Sequence, residues 1–173
     1  AHHLNSSQIV CYEFFRPLKT NVCKRDKVLG KMNIPSASFA KVDIYEFERV
    51  SDLGDGTTFD FSLSSNKNCN LRVEVKYTEQ GFATCKDDDT HKQKFNDIYK
   101  KRIKDSFCIK DYKKGDIEFL EMRKYYQLFR NVLDIKNPTD HVVFLFPREK
   151  ILSRNINLKI LETIICQKRG MSM

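Results

Sequence analysis

Two short stretches of the chain alternate cleanly between apolar and polar residues. From Thr58 to Leu63, the side chains of Phe59, Phe61 and Leu63 fall on one side and those of Thr58, Asp60 and Ser62 on the other. From Leu71 to Thr78, the apolar set is Leu71, Val73, Val75 and Tyr77, and the polar set is Arg72, Glu74, Lys76 and Thr78. A period of two is the mark of a β-strand. Closing the two strands into an antiparallel hairpin through the polar segment 64–70 sets Leu63 against Leu71, Phe61 against Val73 and Phe59 against Val75. On the other face Ser62 meets Arg72, Asp60 meets Glu74 and Thr58 meets Lys76. A slip of one residue would set apolar against polar, so the pattern fixes the register.

The remaining pattern predicts elements on both sides of this hairpin. Leu4 to Leu18 carries Ile9, Val10, Tyr12, Phe14 and Phe15 and reads as a helix ending near Pro17. The segment 39–50, FAKVDIYEFERV, has apolar spacing that also fits a helix, but its β-branched and aromatic residues favour a strand. Phe95, Ile98, Tyr99, Arg102 and Ile103 recur at helical spacing, with Asp89 or Thr90 available as N-cap. A second helix is expected over Asp116 to Leu133, ahead of Pro138. HVVFLFP, 141–147, is a continuous apolar run, the look of a strand buried on both faces. A last helix is expected between Leu152 and Lys168. Helices and strands in this order give an α/β domain.

Composition changes the picture in three ways. At 173 residues, 40% of them hydrophobic, the chain suits one globular domain, 4–173, after an Ala1-His2-His3 opening that reads as a tag remnant. No segment has the apolar length of a membrane span and no secretory signal is visible, so a cytoplasmic protein that makes no membrane contact is expected. The six cysteines form no C-x-x-C pair, which favours thiols in a reducing compartment over disulfides or a zinc site. Finally, 31 Lys plus Arg against 23 Asp plus Glu leaves a formal charge of +8, which attracts polyanions, nucleic acid foremost.

The hairpin register raises a chemical question. It sets two carboxylates, Asp60 and Glu74, directly opposite one another, and like charges so placed destabilise a sheet. Lys76, two residues from Glu74 on the same face, supplies one compensating charge, and a divalent cation would supply two more. Mg²⁺ favours such a site, with one or two carboxylates, water and a substrate phosphate. The Val75 carbonyl, between Glu74 and Lys76, is a further ligand candidate. The plainer alternative is that Asp60, Glu74 and Lys76 form the wet side of an antiparallel sheet.

Asp60, thirteen intervening residues and then Glu74-Val75-Lys76 resemble the PD-(D/E)XK nuclease superfamily, the restriction-endonuclease-like fold. TTFDFSL followed by LRVEVKYTEQGF is similar to a bacterial group of that superfamily with an E-[IV]-K-[YF]-T-E strand and a following helix. The likeness covers roughly Val42 to Lys101, and Phe59 stands where the superfamily's name has proline. It implies a mixed four-stranded sheet in αβββαβ order flanked by helices, with 41–50 as first strand and 141–146 as last. It also implies Mg²⁺, with Mn²⁺ able to replace it, held by Asp60, Glu74 and the Val75 carbonyl. Lys76 would orient the attacking water, or offset charge on the phosphate, during hydrolysis of a DNA phosphodiester. Glu46 and Glu48 are upstream acids of the kind that some relatives use as a further ligand, and many relatives act as homodimers.

Further residues are candidates for support. Thr78 continues the polar face beside Lys76, and Glu79 ends the motif. In relatives a Gln or His on the next helix reaches the site, which nominates His91 and Gln93. A capping-turn histidine on a solvated helix face is the favoured reading of His91. Lys92, Lys94, Lys100 and Lys101 on that helix, and Lys113 and Lys114 around Tyr112, are candidates for contacting nucleic-acid phosphates. The competing function from a different class is a catalytically inactive nucleic-acid-binding module of the same fold.

Overall fold

In a computed structural model, residues 7–77, 82–110 and 114–147 are described. The expected final helix, Leu152 to Lys168, lies outside them, as do the tag remnant and Thr78, Glu79 and Lys113. The described residues fall into two compact units, one of 7–77 with 135–147 and one of 82–110 with 114–134.

The first unit is built on a four-stranded mixed sheet in the order β1 (Val42–Val50), β2 (Thr58–Ser65), β3 (Cys69–Val75) and β4 (His141–Leu145). The segment that could have been strand or helix is β1. β1 and β2 pair antiparallel, β2 and β3 antiparallel, and β3 and β4 parallel. The register at Leu63–Leu71, Ser62–Arg72 and Phe61–Val73 is the one the alternation predicts. The hairpin loop is tighter than expected. Ser65 pairs with Cys69, so only three residues turn the chain, and Asn68 takes the left-handed conformation such a loop needs. The wider loop between β1 and β2 uses Gly54 and Gly56 at positive φ, with Asp55 accepting from Thr57 N and Oγ1.

The predicted first helix is α1 (Ser7–Phe15), which passes into a 3₁₀ turn at Arg16–Leu18 where Pro17 stops it. A second helix, α2 (Val22–Lys31), is not evident from apolar spacing. It is largely charged and rests on a buried Leu29 and Arg25, with Asn21 accepting from Lys24 N as N-cap. These helices supply one side of the core: Cys11, Phe15, Leu18 and Leu29 cluster with Phe61, Leu63, Leu71, Val73 and Val75. Phe15 stacks on Phe61 at 4.3 Å between centroids, and Tyr45 packs edge-on to Phe61 at 4.9 Å. Tyr45 also donates its hydroxyl to the Phe15 carbonyl.

Among the described residues β4 is a sheet edge, and its five residues are half-buried, so the expectation of burial on both faces does not hold. Parallel pairing to β3 covers one side of it only. Asp140 sets its start: its carboxylate accepts from the backbone of Asn70, Lys136 and Asn137, joining the turn before β4 to the beginning of β3.

The second unit is helical: α3 (Asp89–Lys94), a π turn (Phe95–Tyr99), α4 (Lys100–Asp105), α5 (Phe119–Lys124) and α6 (Tyr126–Leu133). The cap of α3 is Asp88, one residue before the expected position. The single helix expected over 116–133 is broken at Tyr125. In an unbroken helix Gln127 N–H would donate to the Arg123 carbonyl. Instead it donates to Ala83 O, and Arg123 O accepts from Cys85 N–H. The segment 83–85 has taken both backbone partners, a tertiary substitution that periodicity does not register.

Cys11, Cys23, Cys69, Cys85 and Cys108 carry thiols and not disulfides, as expected. Among the described residues no helix is long and apolar enough to cross a membrane.

Phe61 is almost fully buried at the centre of the aromatic cluster. Phe61→Ala is expected to cost about 3–5 kcal/mol of stability through lost burial and an unfilled cavity, read from the urea unfolding midpoint.

Candidate active site

The strands bring the motif residues to one end of the sheet. Phe47–Phe61 and Arg49–Phe59 are paired positions of β1 and β2, which sets Glu48 level with Asp60. The β2–β3 ladder begins at Ser65–Cys69 and ends at Phe61–Val73. Two residues further along β3, Val75 N–H donates at 2.6 Å to Asp60 Oδ2. A carboxylate has taken the place of a backbone acceptor. The expected backbone pairs Phe59–Val75, Asp60–Glu74 and Thr58–Lys76 are therefore absent from the ladder, because Asp60 fills the position between the strands. A strand residue's N–H and C=O leave on the same side, so the Val75 carbonyl faces the same opening. Lys76 N–H points the other way and donates to Leu145 O at 2.8 Å, holding this end of β3 on β4.

The polar face here is not wet. Glu74 and Lys76 are 5% and 4% exposed, and their side chains form an ion pair at 2.9 Å between Oε1 and Nζ. Ser62, Ser64 and Arg72 on the same face are also buried, with Arg72 Nη1 donating to Ser64 Oγ. Ser62 Oγ, wholly buried and two residues from Asp60, has no hydrogen-bond partner among the described residues. A solvated surface does not describe this set of residues. Taking two charges out of water costs several kcal/mol, which their attraction repays only when geometry and further hydrogen bonds are good.

Negative charge accumulates around the same point. The Cys11 thiol of α1 is pushed up to about 12, by burial first and then by the charges of Asp60, Glu48 and Glu74. All three carboxylates thus lie within electrostatic reach of one sulfur. Glu48, an exposed position of β1, is itself pushed up, by partial desolvation first and then by Asp60, while a side-chain hydrogen bond with Gln8 pulls it back. Its backbone is left-handed, φ 53°, an uncommon state for a side chain of this size inside a strand. Glu46 is engaged differently, with Arg49 at 2.6 Å on the exposed side of β1.

Among the described residues no group of three or more His, Cys, Asp or Glu is arranged to hold a metal ion. The set expected from the sequence needs only two such side chains, Asp60 and Glu74, with the Val75 carbonyl. These are hard oxygen donors of the kind Mg²⁺ takes. By donor type these residues fit the group.

The other nominated residues lie in the second unit. His91 Nδ1 is 2.7 Å from Asp88 Oδ1, which also accepts the His91 backbone N–H. These two bonds, the backbone one first, hold the Asp88 carboxyl below its usual range. His91 thus lies in the capping turn of α3. Gln93, Lys100 and Lys101 are exposed, Lys94 and Lys114 are half-buried, and Lys92 pairs with Asp87 at 2.8 Å.

A protein-family model described as "Restriction Endonuclease associating with ARP" matches residues 1–165. The chain belongs to this family. Membership makes a nuclease-like function, and with it a nucleic-acid partner, the coarse reading of the chain. No curated protein matches it, and no solved structure does.

Three residues escaped the sequence reading. Ser7 Oγ accepts from Tyr77 N–H and ties α1 to the end of β3. Gln8 bonds Glu48, and Cys11 lies beside the carboxylates. The spacing of α1 shows only that Cys11 and Phe15 share a buried face; which strand end that face meets is a tertiary matter.

Glu48 yields a pH-dependent expectation. Its folded-state pKa is raised, so its ionisation disfavours the fold above the ordinary carboxylate range, and that loss vanishes in acid where it is protonated in both states. Glu48→Gln should therefore raise the melting temperature at neutral pH. The gain should shrink to nothing as pH falls below the glutamate range in a melting series.

Proposed function

We propose that the chain is a metal-dependent nuclease of restriction-endonuclease-like fold that hydrolyses DNA phosphodiester bonds. The observation that carries this reading is the buried Glu74–Lys76 pair beside the Asp60 carboxylate at the mouth between β2 and β3. A protein gains little stability from such a pair, and perturbed, buried charges of this kind concentrate at functional sites. The mixed four-stranded sheet, the formal charge of +8 and the family description support the same reading.

Asp60, Glu74 and the Val75 carbonyl would hold Mg²⁺ or Mn²⁺. When bound, the ion lowers the pKa of water and offsets charge developing on the phosphate. Lys76 would keep the attacking water in line and stabilise its hydroxide form, with Glu74 fixing the position of the ammonium. Glu48 stands across from Asp60 as a supporting acid, and Gln8 orients Glu48. The exposed Lys100 and Lys101, with Lys92, Lys94 and Lys114, would position the DNA backbone without reading its sequence.

The test is plasmid cleavage with Mg²⁺, Mn²⁺ or EDTA. Cleavage is expected with either metal and none with EDTA. Asp60→Asn and Lys76→Ala should each slow it by about 10²–10⁴-fold. Cleavage that persists in EDTA and in Lys76→Ala overturns the mechanism. Salt-dependent DNA binding with no cleavage under any condition favours the inactive binding module.

Stability separates a lost catalyst from a lost fold. Lys76→Ala strands the Glu74 carboxylate in a buried site and should cost roughly 3–5 kcal/mol. The double variant Glu74→Gln/Lys76→Met removes both charges and should recover most of that in urea unfolding while remaining inactive.

A further inference from the structure

The second unit contains a cavity of about 530 Å³ that the proposed nuclease chemistry leaves unused. It is lined by the 83–86 segment, the start of α3 and one side of α6. Its volume is in the range that accepts a small organic ligand. Its charged groups are Lys86, Arg130, Asp88 and His91. The one carboxylate is already engaged, since Asp88 Oδ1 accepts both the backbone N–H of His91 and the contact from its ring at 2.7 Å.

This arrangement orients the imidazole. With Nδ1 tied to Asp88, Nε2 lies on the far side of the ring and has no hydrogen-bond partner among the described residues. The ring also packs edge-on to Tyr126 at 5.5 Å, and the Arg130 guanidinium sits over the Tyr126 ring at 5.1 Å. Tyr126 is held from behind by Tyr99, whose hydroxyl is 3.2 Å from its own. Tyr99 closes the π turn that interrupts the α3–α4 helix, a distortion that recurs at functional sites. An imidazole, a guanidinium and an ammonium therefore line one cavity around a fixed aromatic ring, with the hydroxyls of Thr84 and Thr90 beside them.

We propose that this cavity binds a phosphomonoester, with Lys86, His91 and Arg130 as its ligands and Asp88 and Tyr126 holding His91 and Arg130 in position. A guanidinium offers a bidentate fork to phosphate oxygens, an ammonium adds positive charge, and the Nε2 of an imidazole whose Nδ1–H faces Asp88 accepts from the hydroxyl of a monoanionic phosphate. The single carboxylate disfavours a metal cation, and the charged side chains on its wall disfavour a purely apolar ligand. The proposal goes beyond the nuclease reading and does not depend on it.

The test is calorimetric titration of the full chain in EDTA, where metal-dependent cleavage is silent. The probes are inorganic phosphate, deoxyadenosine, deoxyadenosine 5′-monophosphate, and a short single-stranded oligonucleotide with either a 5′-phosphate or a 5′-hydroxyl. Phosphate-bearing probes should bind more tightly than their phosphate-free counterparts. Lys86→Gln and Arg130→Gln should each weaken binding about ten- to hundredfold, the cost of one charge-assisted hydrogen bond. His91→Gln should weaken it too, while Lys27→Gln, an exposed lysine of α2 outside the cavity, should leave it unchanged. Equal affinity for inorganic phosphate and the mononucleotide supports the site with a free anion as ligand. A preference for the 5′-phosphorylated oligonucleotide supports it with a nucleic-acid end as ligand. Equal binding of deoxyadenosine and its monophosphate, no binding of any probe, or unchanged affinity in folded Lys86→Gln and Arg130→Gln overturns the proposal.

Discussion

Glu74 and Lys76 meet at 2.9 Å with almost no solvent around them, on a strand that has a neighbour on each side. Much of the first unit can be understood as the means of keeping that pair in place. β3 is held by β2 from Cys69 to Val73 and by β4 from Leu71 to Val75, with Lys76 N–H on Leu145 O beyond. Ser7 on α1 fixes the residue after Lys76. A charged pair withdrawn from water is stable only in a rigid frame, because any loosening leaves charge without compensation at low dielectric.

The same end of the sheet gathers features that a purely structural sheet would avoid. Asp60 displaces a backbone acceptor, Glu48 adopts a left-handed backbone, and three carboxylates act on one buried thiol. The apolar core compensates. Phe15, Tyr45, Phe47 and Phe61 form a close aromatic cluster against the strands. Packing of this kind is worth several kcal/mol, enough to carry local strain of one to a few kcal/mol. Strain and like charge thus collect at one end of the sheet, with dense packing behind it.

The second unit follows a different logic. Its helices are short and interrupted, by a π turn at Phe95–Tyr99 and by a break at Tyr125. Each interruption has a structural consequence. The break lets the 83–85 segment pair with α5 and α6, and the π turn brings Tyr99 to Tyr126. Both rearrangements shape the wall of the cavity in which Asp88 holds His91.

The sequence by itself determined the local order. Alternation at 58–63 and 71–78 dictated two strands and the register between them, since a slipped register would bury polar groups against apolar ones. The spacing of Asp60, Glu74 and Lys76 was legible for the same reason, as was the stop at Pro17. Alternation could not show that the polar face is buried, because a period of two says which side chains share a face and nothing about what covers it. Only the tertiary structure decided that Asp60 would take a backbone N–H and end the ladder, that β4 would be an edge, and that Gln8 and Cys11 would meet the carboxylates. It also decided where the helix breaks at Tyr125. Each of these depends on partners far away in the chain, and contacts between distant segments leave no period for a sequence pattern to carry.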